Sequence, residues 1–152
     1  MNPLGHIFIT YIVTSWIIAD ARSYIFLIML LAVVVDIDHI PGFFTFPKQK
    51  KRDYATQVAH FRSVLQEPIG VAIELLVLLG LWILGINPAI LQITGIAMVM
   101  HWLIDFLMVH TRPLYPFSNK LVCLFFKDDK SKKMSEVVVT LISGAAFLIL
   151  II

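Results

Sequence analysis

Histidine and acidic residues recur in and beside the apolar segments of this chain. Asp36-Ile37-Asp38-His39 follows directly on the apolar run 24–35. His101 and Asp105 stand four residues apart, a spacing that puts two helical side chains on one face about 5–6 Å apart. A charge against hydrocarbon costs roughly 2.5–3.5 kcal/mol at the centre of a spanning helix. A bound divalent metal ion offsets that cost, so the pattern indicates a metal site with imidazole and carboxylate ligands.

Each candidate ligand also has a plainer interpretation. The i,i+4 pair is equally typical of a hydrogen bond between packed helices. Asp36 and His39 share a helix face, and because acids at a helix C-terminus oppose its dipole, metal ligation is favoured over a solvated cap. A loop histidine such as His60 is usually exposed to solvent. A protonated His110 at the C-terminal end of its helix would be stabilised by the helix dipole without any metal. The full set of candidate ligands is His6, Asp36, Asp38, His39, His60, His101, Asp105 and His110.

The composition is that of a membrane protein. The 152 residues are 59% hydrophobic and only 14% charged, with a mean hydropathy of +0.89, which excludes an ordinary soluble core. Five histidines stand against the single Cys123, so an internal disulfide and Cys-rich metal chemistry are excluded. The sequence contains no nucleic-acid signature, and the expected partners are membrane lipids.

Five apolar stretches predict an all-α, polytopic bundle that forms one membrane domain over residues 1–152. The predicted helices cover about 3–19, 23–39, 67–86, 88–110 and 134–152. The third and fourth have about the length needed to cross a ~30 Å hydrocarbon layer. Asn87-Pro88 predicts the start of the fourth helix, with Asn as the N-cap and Pro at the first helical position.

The distribution of basic residues predicts the orientation. Of the twelve Lys and Arg residues, five lie at 48–62 and six at 112–133, whereas only Arg22 lies in an opposite turn. The positive-inside rule therefore puts the N-terminus in the cytoplasm and the C-terminus outside. Measured from Pro88, His101 lies ~20 Å along its helix, Asp105 ~26 Å and His110 ~33 Å. The candidate ligands thus converge on the cytoplasmic leaflet, which predicts a single site.

The chain resembles a family of small bacterial and archaeal inner-membrane proteins described as metal-dependent hydrolases, some of them LexA-regulated. The resemblance covers residues 1 to about 120 and rests on these motifs: Met1-Asn2-Pro3 with His6, Asp36-Ile37-Asp38-His39, His60-Phe61-Arg62-Ser63, His101-Trp102-Leu103-Ile104-Asp105 and Pro113-Leu114-Tyr115-Pro116-Phe117-Ser118. It implies a metal-dependent hydrolase in the inner membrane. The family's His-Arg-Gly and His-Ser arrangement is only echoed here, by His60, Arg62 and Ser63.

The pattern is similar, more distantly, to the zinc-dependent phospholipase C and S1/P1 nuclease group, which is all-helical and holds three zinc ions. That likeness implies a bridging role for Asp105. It also implies the ligands His6, Asp36 or Asp38, His60, His101, Asp105 and His110. The group's later ligands have no counterpart after His110, which favours a site of one or two metals.

The resulting hypothesis is a five-helix membrane protein whose cytoplasmic-side metal site hydrolyses a phosphoester, such as a phospholipid or lipid phosphate. Zn²⁺ is the expected ion, with Mn²⁺ or Mg²⁺ as alternatives. Asp36, Asp38 and Glu67 are candidate general bases, and Arg62 or Arg112 would stabilise charge on phosphate. The rival hypotheses are a divalent-cation transporter, with Glu74 on its path, and a non-catalytic scaffold.

Overall fold

The computed structural model describes residues 2–36, 64–108, 111–125 and 129–152. Within these ranges the chain forms five α-helices: α1 (Pro3–Ile17), α2 (Ile25–Val34), α3 (Pro68–Ile83), α4 (Pro88–Met108) and α5 (Asp129–Ile151). Short 3-10 turns cover Ala21–Tyr24 and Val64–Gln66. The described ranges hold no β-strand, only an isolated antiparallel bridge between Thr111 and Val122. The all-helical prediction is confirmed for these residues.

Local sequence signals set the ends of the helices. The side chain of Asn2 accepts a hydrogen bond from the Gly5 backbone N–H at 2.9 Å, and Pro3 opens α1. Asn87 caps α4 in the same way by accepting from the Ala89 N–H at 2.9 Å, as the Asn87-Pro88 dipeptide predicts. After α3, Gly85 has a φ of +81°, a left-handed conformation that favours glycine.

Several helix bounds differ from the predicted ones. The first helix ends at Ile17 rather than 19, because Ile18 is extended. Helix α2 ends at Val34 and 3-10 geometry follows at residues 35–36, whereas the prediction ran to 39. Helix α3 ends at Ile83 rather than 86. Helix α5 begins at Asp129 rather than 134, because the Lys-rich residues before the apolar segment are good helix formers.

Helix α1 lies at the centre of the packing. It contacts α2, α4 and α5, while α3 packs on α4 and α2 also contacts α4. One buried apolar cluster joins Tyr11 of α1, Ile28 of α2 and Ile93 of α4. The packing brings together the N-terminal half of α1, the C-terminal end of α2 and the C-terminal half of α4. These three segments carry the site.

Two helices are long and apolar enough to cross a membrane. They cover Pro88–Met108, with a mean hydropathy of 1.7, and Ser131–Ile151, with a mean hydropathy of 2.2. Only 11% of the apolar part of the second helix is buried, so most of its apolar surface faces outward. The remaining apolar helices are shorter: Pro3–Ile17, Ala21–Val34 and Pro68–Ile83.

Candidate functional site

The three central helices bring four of the predicted residues into one cluster. His6 comes from α1, Asp36 follows α2, and His101 and Asp105 lie on α4. The two histidine side chains are 1% exposed, and Asp105 is 6% exposed. One ligand atom each from His6, Asp36 and His101 lie within 4.8 Å of one another, a spacing that suits a metal ion. We call these four residues the His/Asp cluster.

The contacts in the cluster join imidazole nitrogens to carboxylate oxygens. The Nε2 atom of His6 lies 3.4 Å from Oδ1 of Asp105. The Nε2 atom of His101 lies 3.4 Å from Oδ1 of Asp36 and 3.9 Å from Oδ2 of Asp105. Asp105 therefore faces one histidine with each of its two oxygens. The helical i,i+4 spacing explains its contact with His101, but the contact with His6 depends on the packing of α1 against α4.

The backbone of α2 contacts the side chain of His101. Its Nδ1 atom lies 3.3 Å from the carbonyl oxygen of Ala32. Because a carbonyl oxygen only accepts hydrogen bonds, this contact favours the tautomer in which Nδ1 carries the ring proton. In the neutral ring the opposite Nε2 atom then holds a lone pair that points at the carboxylates of Asp36 and Asp105. A lone pair facing two anionic groups calls for a cation between them, either a second proton or a metal ion.

The two rings are stacked, with centroids 4.2 Å apart and planes inclined by 13°. Among the described residues, Nδ1 of His6 and Nε2 of His101 have no hydrogen-bond partner, and neither has the hydroxyl of Thr10, one turn from His6. An unsatisfied buried polar atom costs about 1–3 kcal/mol. Three such atoms lie on the cluster or one helical turn from it, a pattern that is typical of a place where a further polar or ionic group can bind.

Two of the distances in the cluster are compatible with ligands of one ion, and the others, up to 4.8 Å, are longer. Hydrogen bonds from N–H to oxygen centre on about 2.9–3.0 Å. Two ligands of a tetrahedral zinc ion, bonded at about 2.1 Å, lie about 3.4 Å apart. The 3.4 Å separations in both the His6–Asp105 and His101–Asp36 pairs match the second value. The Ala32 carbonyl, which orients His101 through its other nitrogen, is the usual outer partner of a metal-ligating histidine.

Asp36 is the member of the cluster that is most exposed to solvent. Its side chain is 25% exposed, much more than the two histidines. Burial raises the pKa of Asp36, but the contact with His101 and the attraction of both imidazoles in their protonated form outweigh this effect and hold the pKa below its ordinary value. Asp36 is therefore ionised at neutral pH, and its carboxylate faces the cluster as an acceptor for a proton donor or a cation.

Glu67 lies in a separate ion pair with Arg112. Fully buried, it accepts hydrogen bonds from the backbone N–H and from Nε of Arg112, both at 3.0 Å. The Arg112 guanidinium also lies 4.7 Å from the centre of the Tyr115 ring. The side chain of Gln66, the residue before Glu67, donates a hydrogen bond to the carbonyl of Val35 at 3.1 Å. Val35 directly precedes Asp36, so Gln66 connects the segment of the ion pair to the segment that carries Asp36.

Sequence reasoning did not single out the Ala32 carbonyl or Gln66. Every residue has a carbonyl, so no residue type marks the role of Ala32. Gln66 carries a weak signal as a polar residue beside Glu67-Pro68, at the entry to an apolar helix. Five predicted site residues lie outside the described residues: Asp38, His39, His60, Arg62 and His110. Their roles stay predictions.

Comparison with protein-family models, with curated proteins and with solved structures gave no match for this chain. The function is therefore inferred from the chemistry and geometry of the His/Asp cluster.

Proposed function

We propose that this protein is a multi-pass membrane protein of the inner membrane that binds a divalent metal ion at the His/Asp cluster and hydrolyses a phosphoester. Zn²⁺ is the preferred ion, and Mn²⁺ or Mg²⁺ are the alternatives. The N-terminus and the site face the cytoplasm, because eleven of the twelve basic residues lie in the two segments on that side.

One observation carries the metal site: Nε2 of His101 is buried, faces two carboxylates and has its ring proton held on the opposite nitrogen by Ala32. A merely structural His–Asp pair would direct an N–H group at the carboxylate at hydrogen-bond distance. The alternative in which His101 is doubly protonated satisfies the same carboxylates with a second proton instead of an ion. The metal content of the purified protein distinguishes these two states.

The bound ion and the side chains of the cluster would have different roles in the reaction. A bound divalent ion polarises a phosphoryl oxygen and lowers the pKa of a water toward ~7. Asp36, the most exposed member of the cluster, is the candidate general base, and it would be a weak one because its pKa is held below the ordinary value. His6, His101 and Asp105 hold their ligand atoms in fixed positions within the packed helices, which limits reorganisation during the reaction.

The substrate must approach from the side of Asp36. This side is also where Gln66 and the Glu67–Arg112 ion pair lie, linked through Val35. Because Glu67 already neutralises Arg112, the charge that would attract a phosphate has to come from the bound ion. The choice of a phosphoester therefore depends on the chemistry of that ion and on the family resemblance described above.

The test uses detergent-solubilised protein, stripped of metal and then supplied with Zn²⁺, Mn²⁺ or Mg²⁺ in turn. The expected result is metal-dependent hydrolysis of p-nitrophenyl phosphate or of a phospholipid, abolished by Asp105→Asn and strongly reduced by Asp36→Asn. The matched control is Asp20→Asn, because Asp20 is an exposed acid outside the cluster whose side chain accepts a hydrogen bond from Ser23. No hydrolysis with any of the ions across a broad phosphoester panel would contradict the proposal.

A divalent-cation transporter is the second candidate, and Glu74 is the observation that favours it. Glu74 lies half-buried on the apolar helix α3 and within electrostatic range of His101. An ionisable residue within a membrane helix is typical of an ion path. The enzyme needs only the His/Asp cluster, whereas a transporter needs Glu74 as well, so Glu74→Gln separates the two functions.

A further inference from the structure

Asp36 is the one member of the His/Asp cluster that lies outside an α-helix. His6 lies on α1, and His101 and Asp105 lie on α4, so the packing of these two helices sets their positions. Helix α2 ends at Val34, and Asp36 follows it in 3-10 geometry. The end of an α-helix leaves carbonyl groups without partners inside the helix, and such ends fray. The position of the Asp36 carboxylate therefore depends on what holds the end of α2.

A side chain from a distant part of the sequence contacts this end. The Gln66 side chain donates a hydrogen bond to the carbonyl oxygen of Val35 at 3.1 Å, across 31 positions of the sequence. Val35 directly precedes Asp36. Gln66 is only 2% exposed, so water competes little for this bond. The bond therefore holds the residue next to the candidate ligand.

The backbone of Gln66 is itself held on both sides. Gln66 ends the 3-10 turn Val64–Gln66, and the backbone N–H of Glu67 donates to the carbonyl of Val64 at 3.1 Å. The Glu67 side chain accepts hydrogen bonds from the backbone N–H and from Nε of Arg112. A donor on a fixed backbone loses less conformational entropy on bonding than one on a mobile segment. Gln66 is thus a fixed point for the end of α2.

We propose that Gln66 is a positioning residue that holds the Asp36 carboxylate at the His/Asp cluster through the Val35 carbonyl. This inference rests on the proposed function and adds to it a residue that touches neither the ion nor the substrate. Oδ1 of Asp36 lies 3.4 Å from Nε2 of His101. Metal–ligand distances vary by only about 0.2 Å between sites, so a small shift of this segment removes a ligand.

The experiment measures the Kd for Zn²⁺ of the detergent-solubilised full chain by competition with a chromogenic chelator. Gln66→Met keeps the length of the side chain but cannot donate a hydrogen bond. Gln66→Asn keeps the amide but is one methylene shorter, so it does not reach the Val35 carbonyl. We expect each change to raise the Kd about 10–100-fold, as for other outer partners of metal ligands. The control Gln92→Met, at an exposed glutamine of α4 outside the cluster, should leave the Kd within about twofold.

A double-mutant cycle separates positioning from a general effect on the fold. In an Asp36→Ala background the carboxylate is already lost, so Gln66→Met should change the Kd by less than about twofold. An equal rise in the Kd in both backgrounds would overturn the proposal, because Gln66 would then act on the whole fold. A Kd that stays at the wild-type value in both Gln66→Met and Gln66→Asn would also overturn it.

Hydrogen exchange provides a readout that needs no metal. In protein stripped of metal, Gln66→Met should speed the exchange of the backbone amides of residues 33–36 about fivefold, since one hydrogen bond changes a local opening equilibrium by about this factor. Gln92→Met should leave their exchange unchanged. Wild-type exchange rates in Gln66→Met would overturn the proposal. If the wild-type protein binds no Zn²⁺, the proposed function fails, while faster exchange at residues 33–36 would still support the hold of Gln66 on the Asp36 segment.

Discussion

Replacing Glu67 tests whether this residue stabilises the fold or takes protons in catalysis. The side chain is fully buried and binds Arg112 twice, at the backbone N–H and at Nε, each at 3.0 Å. We predict that Glu67→Ala lowers the free energy of unfolding. The change removes the carboxylate that accepts hydrogen bonds from these two donors and leaves the Arg112 charge partly buried.

The magnitude follows from the burial of the pair. Removing one member of a buried ion pair costs about 3–5 kcal/mol. The Arg112 side chain is 16% exposed, so water relieves part of this cost and the lower end, about 3 kcal/mol, is expected. Glu67→Gln keeps one acceptor oxygen but loses the negative charge. It should lower the free energy of unfolding by about 1.5–2 kcal/mol, because a hydrogen bond to a charged group contributes more than one to a neutral group.

The assay is equilibrium unfolding of detergent-solubilised protein, with Asp20→Asn as the control for loss of an exposed acid. A double-mutant cycle of Glu67→Gln with Arg112→Met isolates the side-chain contact, because Arg112→Met keeps the backbone N–H. A stability change within about 0.5 kcal/mol of the control, the usual range for surface substitutions, would refute the reasoning. If hydrolysis were lost without any loss of stability, Glu67 would instead act as the predicted general base.

Three further predictions address the packing, the transport path and the orientation. Gly144→Ala should destabilise the protein by about 1–3 kcal/mol relative to Gly80→Ala, because a Cβ at Gly144 lies 3.1 Å from the Phe8 ring and a Cβ at Gly80 meets no atom within 4 Å. Both changes gain the same helix propensity, so the difference reports the contact with Phe8. Equal free energies of unfolding for the two variants would contradict the α1–α5 packing. Glu74→Gln should leave metal-dependent hydrolysis within about twofold of wild type if only the His/Asp cluster acts, whereas metal-dependent ion flux into liposomes that this change abolishes would favour the transporter. A reporter fused after Ile152 should signal from outside the cytoplasm, and a cytoplasmic signal there would remove one predicted spanning helix.

The apolar stretches and their turn residues predict the helices of this chain well. Asn87-Pro88 predicts the start of α4 because capping is a local property of a few neighbouring residues. The end of α2 is less predictable, because the apolar pattern runs on to Val35 while the helix ends at Val34. There the carbonyl of Val35 is held by Gln66, thirty-one residues later in the chain, which no local pattern reveals.

The candidate site shows the same division between local and distant contacts. The spacing of His101 and Asp105 predicts that they share a helix face, and their 3.9 Å contact follows from it. The approach of His6 to Asp105, the stacking of the two rings and the bond to the Ala32 carbonyl depend on how α1, α2 and α4 pack. These contacts also choose which nitrogen of His101 faces the carboxylates, a detail that residue types alone leave open.

The metal content of the purified protein tests the central claim most directly. Elemental analysis of protein purified without added chelator should give at least about one divalent ion per chain, as a site with three or four protein ligands predicts. The double variant His101→Ala, Asp105→Ala should give close to none, and the Asp20→Asn control should match wild type. An equally low metal content in wild type and the double variant, after equilibration with Zn²⁺ and removal of the excess, would contradict the metal site.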